Sequence, residues 1–359
     1  METLGDKFPK FDVPYFLESV VPDVPEDKVD GVFQQLVNNK IITYNTTTEE
    51  HRWRWYDADP SKMDGSEKDV YKHLEDIFEA VVKAAQEGWR VGQEPTVRFT
   101  CEPDHPSVSD IQHSGLMTDS GQKLIVSDGE KDLYGNVAMA KFKKTIGKEN
   151  SNKNVRKLLG DSTHMMSSDP RRRFRFGITI EDTQINVSHS RLQNPKPFIQ
   201  FLLATSFATL EELGYDTSMV RLNVDGEWVY DYRVDHPEDG MQWYRTVESL
   251  DTHRAARLPG RGVRVWVVKP LDGNRQPYPP GSAMDKRYVL KDYWLPMDSR
   301  SEKEVSDAIV DAAVKKGRNG ADVRKHLMTI LHDWVVSVNG QDDNSDLLLR
   351  RKMPPSEYE

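Results

Sequence analysis

Residues Gly260–Lys291, GRGVRVWVVKPLDGNRQPYPPGSAMDKRYVLK, predict two β-strands joined by a turn. In the first strand, valines at 263, 265 and 267 alternate with Arg264, Trp266 and Val268, so one face is expected to be largely apolar. Pro270–Pro280 interrupts the alternation with Pro, Gly and Asn, and Arg287–Leu290 resumes it just before Lys291. The stretch therefore predicts a hairpin whose second strand ends near a lysine.

The glycines and the lysine of this hairpin suggest a phosphate site. The first strand opens with Gly260-Arg261-Gly262 and continues to Val265. Glycines let a backbone approach a phosphate, an apolar side chain can cover a purine ring, and a lysine can neutralise phosphate charge. The same residues also occur in ordinary hairpins, so a purely structural interpretation stands beside nucleotide binding.

Four segments carry a resemblance to a known family. In chain order they are DPRRRF from Asp169, EELG from Glu211, GRGVRVW from Gly260 and LKD from Leu290. Their order resembles that of the fungal-type protein kinases, over roughly Lys143–Trp294. The resemblance implies an antiparallel, kinase-like small lobe.

The resemblance also implies roles for particular residues. The backbone of Gly260, Arg261 and Gly262 would lie over the phosphates of ATP, Val265 over the base, and Lys291 on the phosphates. A kinase needs a glutamate on the next helix to position that lysine. Glu304 is the candidate and Asp307 the alternate, although each could instead be an ordinary solvated charge on a helix.

A second resemblance concerns the region before the small lobe. Its order of helix and strands is similar to the PD-(D/E)xK nuclease fold, in which carboxylates hold Mg²⁺ and a lysine orients water. Asp110 would be the first acid, Lys143 the lysine, and Glu75 or Glu79 an accessory acid. The second acid would fall at position 141, which is a lysine. The region is therefore expected to be a structural relic without nuclease activity.

Four arginines lie close together at 171, 172, 173 and 175, interleaved with Phe174 and Phe176. They could bind anions or serve nuclear import. Alternation along a strand favours a structural role instead.

Catalytic motifs of phosphoryl transfer are missing from the sequence. Neither a His-Arg-Asp nor an Asp-Phe-Gly triplet occurs in the 359 residues, so full coordination of Mg²⁺ by this chain is not expected. Three functions are considered. The first is the front part of a fungal-type kinase without its catalytic loop, the second a non-catalytic regulatory protein with a pseudokinase-like lobe, and the third a nucleic-acid-processing module.

The composition restricts the partners and the cellular compartment that can be expected for the protein. A net charge of −9 makes nucleic acid an unlikely partner, and a single cysteine, Cys101, allows no internal disulfide. No stretch is apolar enough for a membrane span, so an intracellular protein, cytoplasmic or nuclear, is expected. A small lobe alone leaves apolar surface uncovered, so we expect this surface to bind another protein or a separate large lobe.

The predicted fold class is α+β, with five segments. They are a helical and extended leader (1–60), an α/β region resembling a nuclease (61–146), a family-specific α/β segment (147–240), the kinase-like small lobe (241–340) and a polar tail (341–359). The boundary at 147 depends on the polar stretch 147–154, GKENSNKN, taken as a connector. Helices are predicted from a Ser66 cap and over Val155–Met166, Pro197–Leu213, Ser301–Lys316 and Arg324–His332, with a strand at Trp334–Val338.

Overall fold

The computed structural model describes residues 13–101, 106–107, 116–117, 120–125, 135–186, 190–191, 194–236, 240–250, 262–296, 298–338 and 340–344. They form two compact units, one within Met1–Tyr215 and the other Asp216–Asn344. Both combine helices with antiparallel strand pairs, as the predicted α+β class requires. The junction after Tyr215 falls inside the predicted 147–240 segment, and the five-part division stays a prediction.

The helices of the first unit are α1 (Val13–Ser19), α2 (Glu26–Asn38), α3 (Glu67–Tyr71), α4 (Leu74–Gly88), α5 (Lys148–Ser168) and α6 (Pro195–Ser206), with a 3₁₀ turn at Pro60–Lys62. Its strands are β1 (Ile42–Asn45), β2 (Glu50–Trp53), β3 (Val97–Thr100), β4 (Pro106–Ser107), β5 (Leu116–Met117), β6 (Ser120–Leu124), β7 (Asn136–Lys143), β8 (Phe176–Glu181), β9 (Gln184–Asn186) and β10 (Ser190–Arg191).

The second unit contains α7 (Glu302–Lys315) and α8 (Gly320–Arg324). Its strands are β11 (Met219–Val224), β12 (Glu227–His236), β13 (Gly240–Ser249), β14 (Arg264–Leu271), β15 (Tyr288–Asp292), β16 (Ser337–Val338) and β17 (Gln341–Asp342).

A six-stranded sheet in the order β10-β9-β8-β7-β6-β3 forms the centre of the first unit. Strands β7 and β8 are parallel, joined by α5, and the remaining pairs are antiparallel. Side chains on one face of β7, including Ala138, Ala140 and Phe142, join a core with α2, α4 and α6. On the other face Met139 packs with Met165 of α5, and Leu158 lies against both. The sheet thus lies between two helical layers.

Within the polar stretch 147–154, Gly147 is an N-cap and residues 148–154 are helical, which corrects the prediction of a connector. Helix α5 begins at Lys148, seven residues before the predicted start at Val155. Lys153 pairs with Glu149 one turn earlier at 2.6 Å, and Asn154 Nδ2 donates to Glu181 Oε1 at 2.7 Å in the buried interior. These contacts outweigh the weak helix propensity of Gly and Asn.

The second unit is built on a five-stranded antiparallel sheet in the order β11-β12-β13-β14-β15. The predicted hairpin is confirmed as β14 and β15. Its buried face is the one with Arg264, Trp266 and Val268, and it joins a core of Met219, Tyr230, Tyr232, Val234, Tyr244 and Leu290. The valines of the alternate face are half-buried or exposed. Burial therefore falls on the face with the larger, mixed side chains.

The segment after α7 departs from its prediction. Helix α7 confirms the predicted Ser301–Lys316 helix, with Ser301 as its N-cap. The helix predicted over Arg324–His332 is wrong, because α8 ends at Arg324 and residues 327–336 are irregular. The strand predicted at Trp334–Val338 is limited to Ser337–Val338. Within the residues that are described, no helix combines the length and the apolar character needed to cross a membrane.

Candidate functional site

Lys291 and Val265 lie side by side on one face of the second sheet. Strand β15 pairs with β14 so that Lys291 is directly opposite Val265, and Val289 is opposite Val267. Opposite residues of an antiparallel pair project to the same face. Val289 is 66% exposed and Lys291 is also exposed, so this face offers apolar surface beside an amine.

The rest of this face is occupied by contacts within the unit. Asp231, which is fully buried, accepts two hydrogen bonds from Arg245 at 2.7 and 2.9 Å. The turn after β14 supplies Asp285, which binds Lys269 Nζ at 2.6 Å. Lys269 lies on the same face as Lys291 but is held by that carboxylate. Among the residues that the structure describes, the open part of the face is therefore the end near Val265 and Lys291.

Lys291 is held by the first residue of α7. Its Nζ forms a hydrogen-bonded ion pair with Glu302 Oε1, and it lies 5.4 Å from the centre of the Tyr293 ring. The Tyr293 hydroxyl accepts the backbone N–H of Glu302 at 3.4 Å. Both charged side chains are about two-fifths exposed, at 37% and 41%, so the pair contributes at most about 1 kcal/mol. The pair holds the amine beside the N-terminus of α7.

Glu304, the predicted partner of Lys291, is used elsewhere. Its carboxylate accepts the backbone N–H of Ser301 at 2.8 Å, while the Ser301 hydroxyl accepts the N–H of Glu304, forming a capping box. The alternate, Asp307, binds Lys303 at 2.9 Å and Arg324 at 3.0 Å, and hydrogen bonds from these two residues lower the pKa of its carboxyl. In this structure the carboxylate on Lys291 is Glu302, two residues before the predicted one.

Of the predicted glycine segment, Gly262 is described, whereas Gly260 and Arg261 lie outside the described residues. Gly262 has a φ of +52°, in the left-handed region that favours glycine. A Cβ at this position would lie 3.2 Å from Trp294 Cδ1. A residue with a side chain would therefore be disfavoured at position 262, both by the backbone conformation and by the nearby indole.

Behind Lys291, the opposite face of β15 carries a largely buried ionic cluster. Asp292 lies directly across from Arg264, with Oδ2 3.7 Å from Nη1. Burial raises the pKa of the Asp292 carboxyl above its ordinary 3.8; Arg264 opposes that shift, and the Asp216 carboxylate adds to it. This cluster fixes the strand from which Lys291 projects.

The raised pKa of Asp292 predicts a pH dependence of stability. The folded state binds more protons than the unfolded state between about pH 4 and the raised folded-state pKa, so the free energy of unfolding falls as pH rises through that window. We expect the stability of the wild-type protein relative to Asp292→Asn to fall with pH in urea titrations. The control Asp298→Asn, at an exposed position, should follow the wild-type curve. Parallel curves for Asp292→Asn and wild type would contradict the prediction.

The comparison with protein families decides what the chain is. The sequence model described as fungal protein kinase matches residues 116–359, more than half of the chain. The chain belongs to the fungal protein kinase family. No curated protein and no solved structure matches it.

The match extends the predicted resemblance in both directions beyond Lys143–Trp294. The matched region includes β7, α5 and β8 of the first unit and all of the second unit. The strand with the predicted nuclease-like lysine thus lies inside the kinase family's own region.

Lys141 and Lys143 are both held by carboxylates in the first unit. Lys141, 3% exposed, binds Asp161 of α5 at 2.9 Å. Lys143 Nζ reaches both carboxylate oxygens of Glu67, at 2.8 and 3.0 Å. At position 141, where a metal-binding acid would be needed, there is a buried cation under α5.

Of the other predicted nuclease-like residues, the structure describes Glu75 and Glu79. Asp110 lies outside the described residues. Glu75 accepts the backbone N–H of Cys101, and Glu79 is exposed. Across the described ranges, no group of three or more His, Cys, Asp or Glu side chains is placed to hold a metal ion.

The arginine block at 171–175 is largely internal. Arg172 is 2% exposed, and its guanidinium carbon lies 3.7 Å from the centre of the Tyr215 ring. Its Nη2 donates to the Tyr215 hydroxyl and to the Asn136 carbonyl. Arg171 makes two hydrogen bonds to Asp169, at 2.9 and 2.8 Å. These contacts fit the structural interpretation of the block.

Sequence reasoning missed Glu302, Val267, Val289 and Trp294 at this site. Val267 and Val289 follow from strand periodicity once the register of β14 and β15 is known. The sequence did contain a signal for Glu302. The third residue after an N-cap serine, here Glu304, closes the capping box with its carboxylate, which leaves Glu302, the first residue of the helix, to pair with Lys291. Trp294 gave no signal, because its contact with Gly262 depends on the strand pairing.

Proposed function

We propose that the sheet β13–β15 and helix α7 form a protein-kinase-like small lobe that binds ATP on the face of Val265 and Lys291. One observation carries the proposal: Lys291 is directly opposite Val265 on an open sheet face, and a carboxylate from the following helix holds its amine. An apolar surface for a base and a fixed cation for phosphates are thus within one strand pair.

The proposed roles follow from chemistry and position. The valines at 265, 267 and 289 offer surface to the purine ring, and Lys291 donates charge-assisted hydrogen bonds to phosphate oxygens. Glu302 aims the lysine, the role predicted for Glu304. The backbone at Gly260, Arg261 and Gly262 would approach the phosphates, since glycine allows close contact. Where Mg²⁺ accompanies ATP, its ligands would come mainly from the phosphates and water.

The proposal is confined to binding. The Asp residues of His-Arg-Asp and Asp-Phe-Gly triplets serve phosphoryl transfer in kinases, and neither triplet occurs in these 359 residues. Transfer would need a large lobe, or the nucleotide would serve a regulatory role toward a protein partner. Helix α7 carries exposed apolar residues, Val305, Ile309 and Val314, that suit such a contact.

Calorimetric titration of the purified protein with ATP tests the proposal. We expect saturable 1:1 binding that persists when Mg²⁺ is replaced by EDTA, because the protein contributes no complete Mg²⁺ site in this proposal. ADP should bind more weakly than ATP, because it carries less phosphate charge for Lys291. Absence of any saturable heat with ATP, at concentrations up to a few millimolar, would refute the proposed function.

For the first unit we propose a nuclease-like fold that has lost its metal site. The order α4, β3, β6, β7 supplies the helix and strands of that resemblance, and Lys141 pairs with Asp161 where an acid would be needed. We expect no Mg²⁺-dependent cleavage of DNA or RNA. Cleavage that requires Mg²⁺ and disappears in Asp110→Ala would show a working nuclease instead.

A further inference from the structure

The end of the glycine segment lies close to an aromatic side chain, Trp294, which follows β15 by two residues. Gly262 combines a φ of +52° with an exposed position, and a Cβ placed on it would lie 3.2 Å from Trp294 Cδ1. The edge of the indole therefore lies next to Gly262, close enough to crowd any side chain at that position. Trp294 is 39% exposed, so part of its ring surface is used in this contact and part faces solvent.

The strand register explains why these two residues meet. Arg264 is opposite Asp292 in the β14–β15 ladder. Continuing the antiparallel register by two residues brings Gly262 opposite Trp294, and opposite residues share a face. An aromatic ring across from a glycine covers the backbone that the glycine leaves bare and fixes the local pairing. The two residues thus lie just beyond the last pair of the ladder, Arg264 and Asp292.

Lys291 and Trp294 lie close together in the sequence at one end of the β14–β15 pair. Lys291 is in β15 and projects to the open face, Trp294 follows three residues later, and Asp292 between them pairs with Arg264. The lysine amine and the backbone of Gly262 are thus at the same end of this strand pair. Groups that bind phosphates are most effective when their spacing is fixed before the ligand arrives.

We propose that Trp294 is a positioning residue that holds the backbone at Gly262 and thereby sets the affinity for the phosphates of the nucleotide, with little effect on the base. The proposal deepens the proposed function and rests on it. It assigns the contact with the base to Val265 and its neighbours, and the placement of the phosphate-binding backbone to the indole.

The test uses three variants and two ligands. Trp294→Ala removes the ring, Trp294→Phe keeps an aromatic cover, and Trp228→Ala is the matched control. Trp228 is 41% exposed on β12 of the same sheet, with Arg221 stacked 3.7 Å above its ring. Affinities for ATP and for adenosine are measured by calorimetry, and hydrogen–deuterium exchange is followed in the peptide that covers Gly262–Arg264.

In Trp294→Ala we expect about a tenfold rise in the Kd for ATP, equivalent to about 1.4 kcal/mol, with the Kd for adenosine unchanged. Exchange in the Gly262–Arg264 peptide should accelerate. Trp294→Phe should restore most of both properties, and Trp228→Ala should resemble the wild type in both. A role in general stability would instead weaken ATP and adenosine together.

Two results would overturn the inference: equal losses for ATP and adenosine in Trp294→Ala, or unchanged exchange in the Gly262–Arg264 peptide. A third result separates the inference from the proposed function. If the wild-type protein binds neither ligand, the proposed function fails and the claim about phosphates fails with it. In that case, faster hydrogen–deuterium exchange in the Gly262–Arg264 peptide of Trp294→Ala would still show that Trp294 holds Gly262.

Discussion

Lys291→Ala should raise the Kd for ATP by about thirtyfold or more. The lysine is the cation on the open face beside Val265, and its amine is aimed by Glu302. Hydrogen bonds to charged groups contribute roughly 1.5–3 kcal/mol, and a loss of about 2 kcal/mol corresponds to about thirtyfold in affinity. The fold should be retained, because the ion pair that the substitution removes is half exposed and stabilises the protein little. Titration with ATP, alongside a thermal melt of each variant, measures both quantities.

The matched control for this prediction is Lys269→Ala. Lys269 lies on the same sheet face and also forms an ion pair, in its case with Asp285 at 2.6 Å. It stands away from the open end of the face, so its loss should change ATP affinity by less than about twofold, within the range of a surface substitution. An unchanged affinity in Lys291→Ala, or equal losses in both variants, would refute the assignment of Lys291 to the phosphates.

Arg172→Ala should destabilise the first unit by about 3–5 kcal/mol, the cost of removing one partner from a buried charged network. The guanidinium is buried against the Tyr215 ring and donates to the Tyr215 hydroxyl and the Asn136 carbonyl. Its removal leaves those two oxygens without this donor and opens a cavity beside the ring. A loss of this size approaches the whole stability of many domains. Urea denaturation followed by circular dichroism measures it.

Arg173→Ala provides the comparison within the same block. Its side chain is half-buried and lies 6.0 Å from the Phe174 ring centre, and its backbone N–H, which the substitution keeps, donates to Gly214. We expect a loss below about 1 kcal/mol. Equal stability of Arg172→Ala and Arg173→Ala would contradict the structural role of Arg172 and favour the alternative, in which the block binds anions.

Local patterns in the sequence predicted much of the fold. The alternation at 263–268 and the Pro- and Gly-rich break after it predicted the hairpin β14–β15, and the serines at 66 and 301 predicted the helix starts at α3 and α7. The four family segments predicted membership of the fungal protein kinases, and the family match confirms it. Periodicity and capping act over a few residues, so they can be read without knowing what lies opposite in the fold.

The tertiary structure decided the features that depend on distant partners. It placed the valine face of β14 toward solvent and the face with Arg264 and Trp266 in the core. It paired Lys291 with Glu302 and not with Glu304, because the carboxylate of Glu304 binds the backbone of Ser301 in the capping box. It extended α5 through residues 148–154 by a contact with the buried Glu181, and it brought Trp294 close to Gly262. Sequence determines which residues can form a strand or a cap, whereas burial and pairing are set by the surfaces that meet when the chain folds.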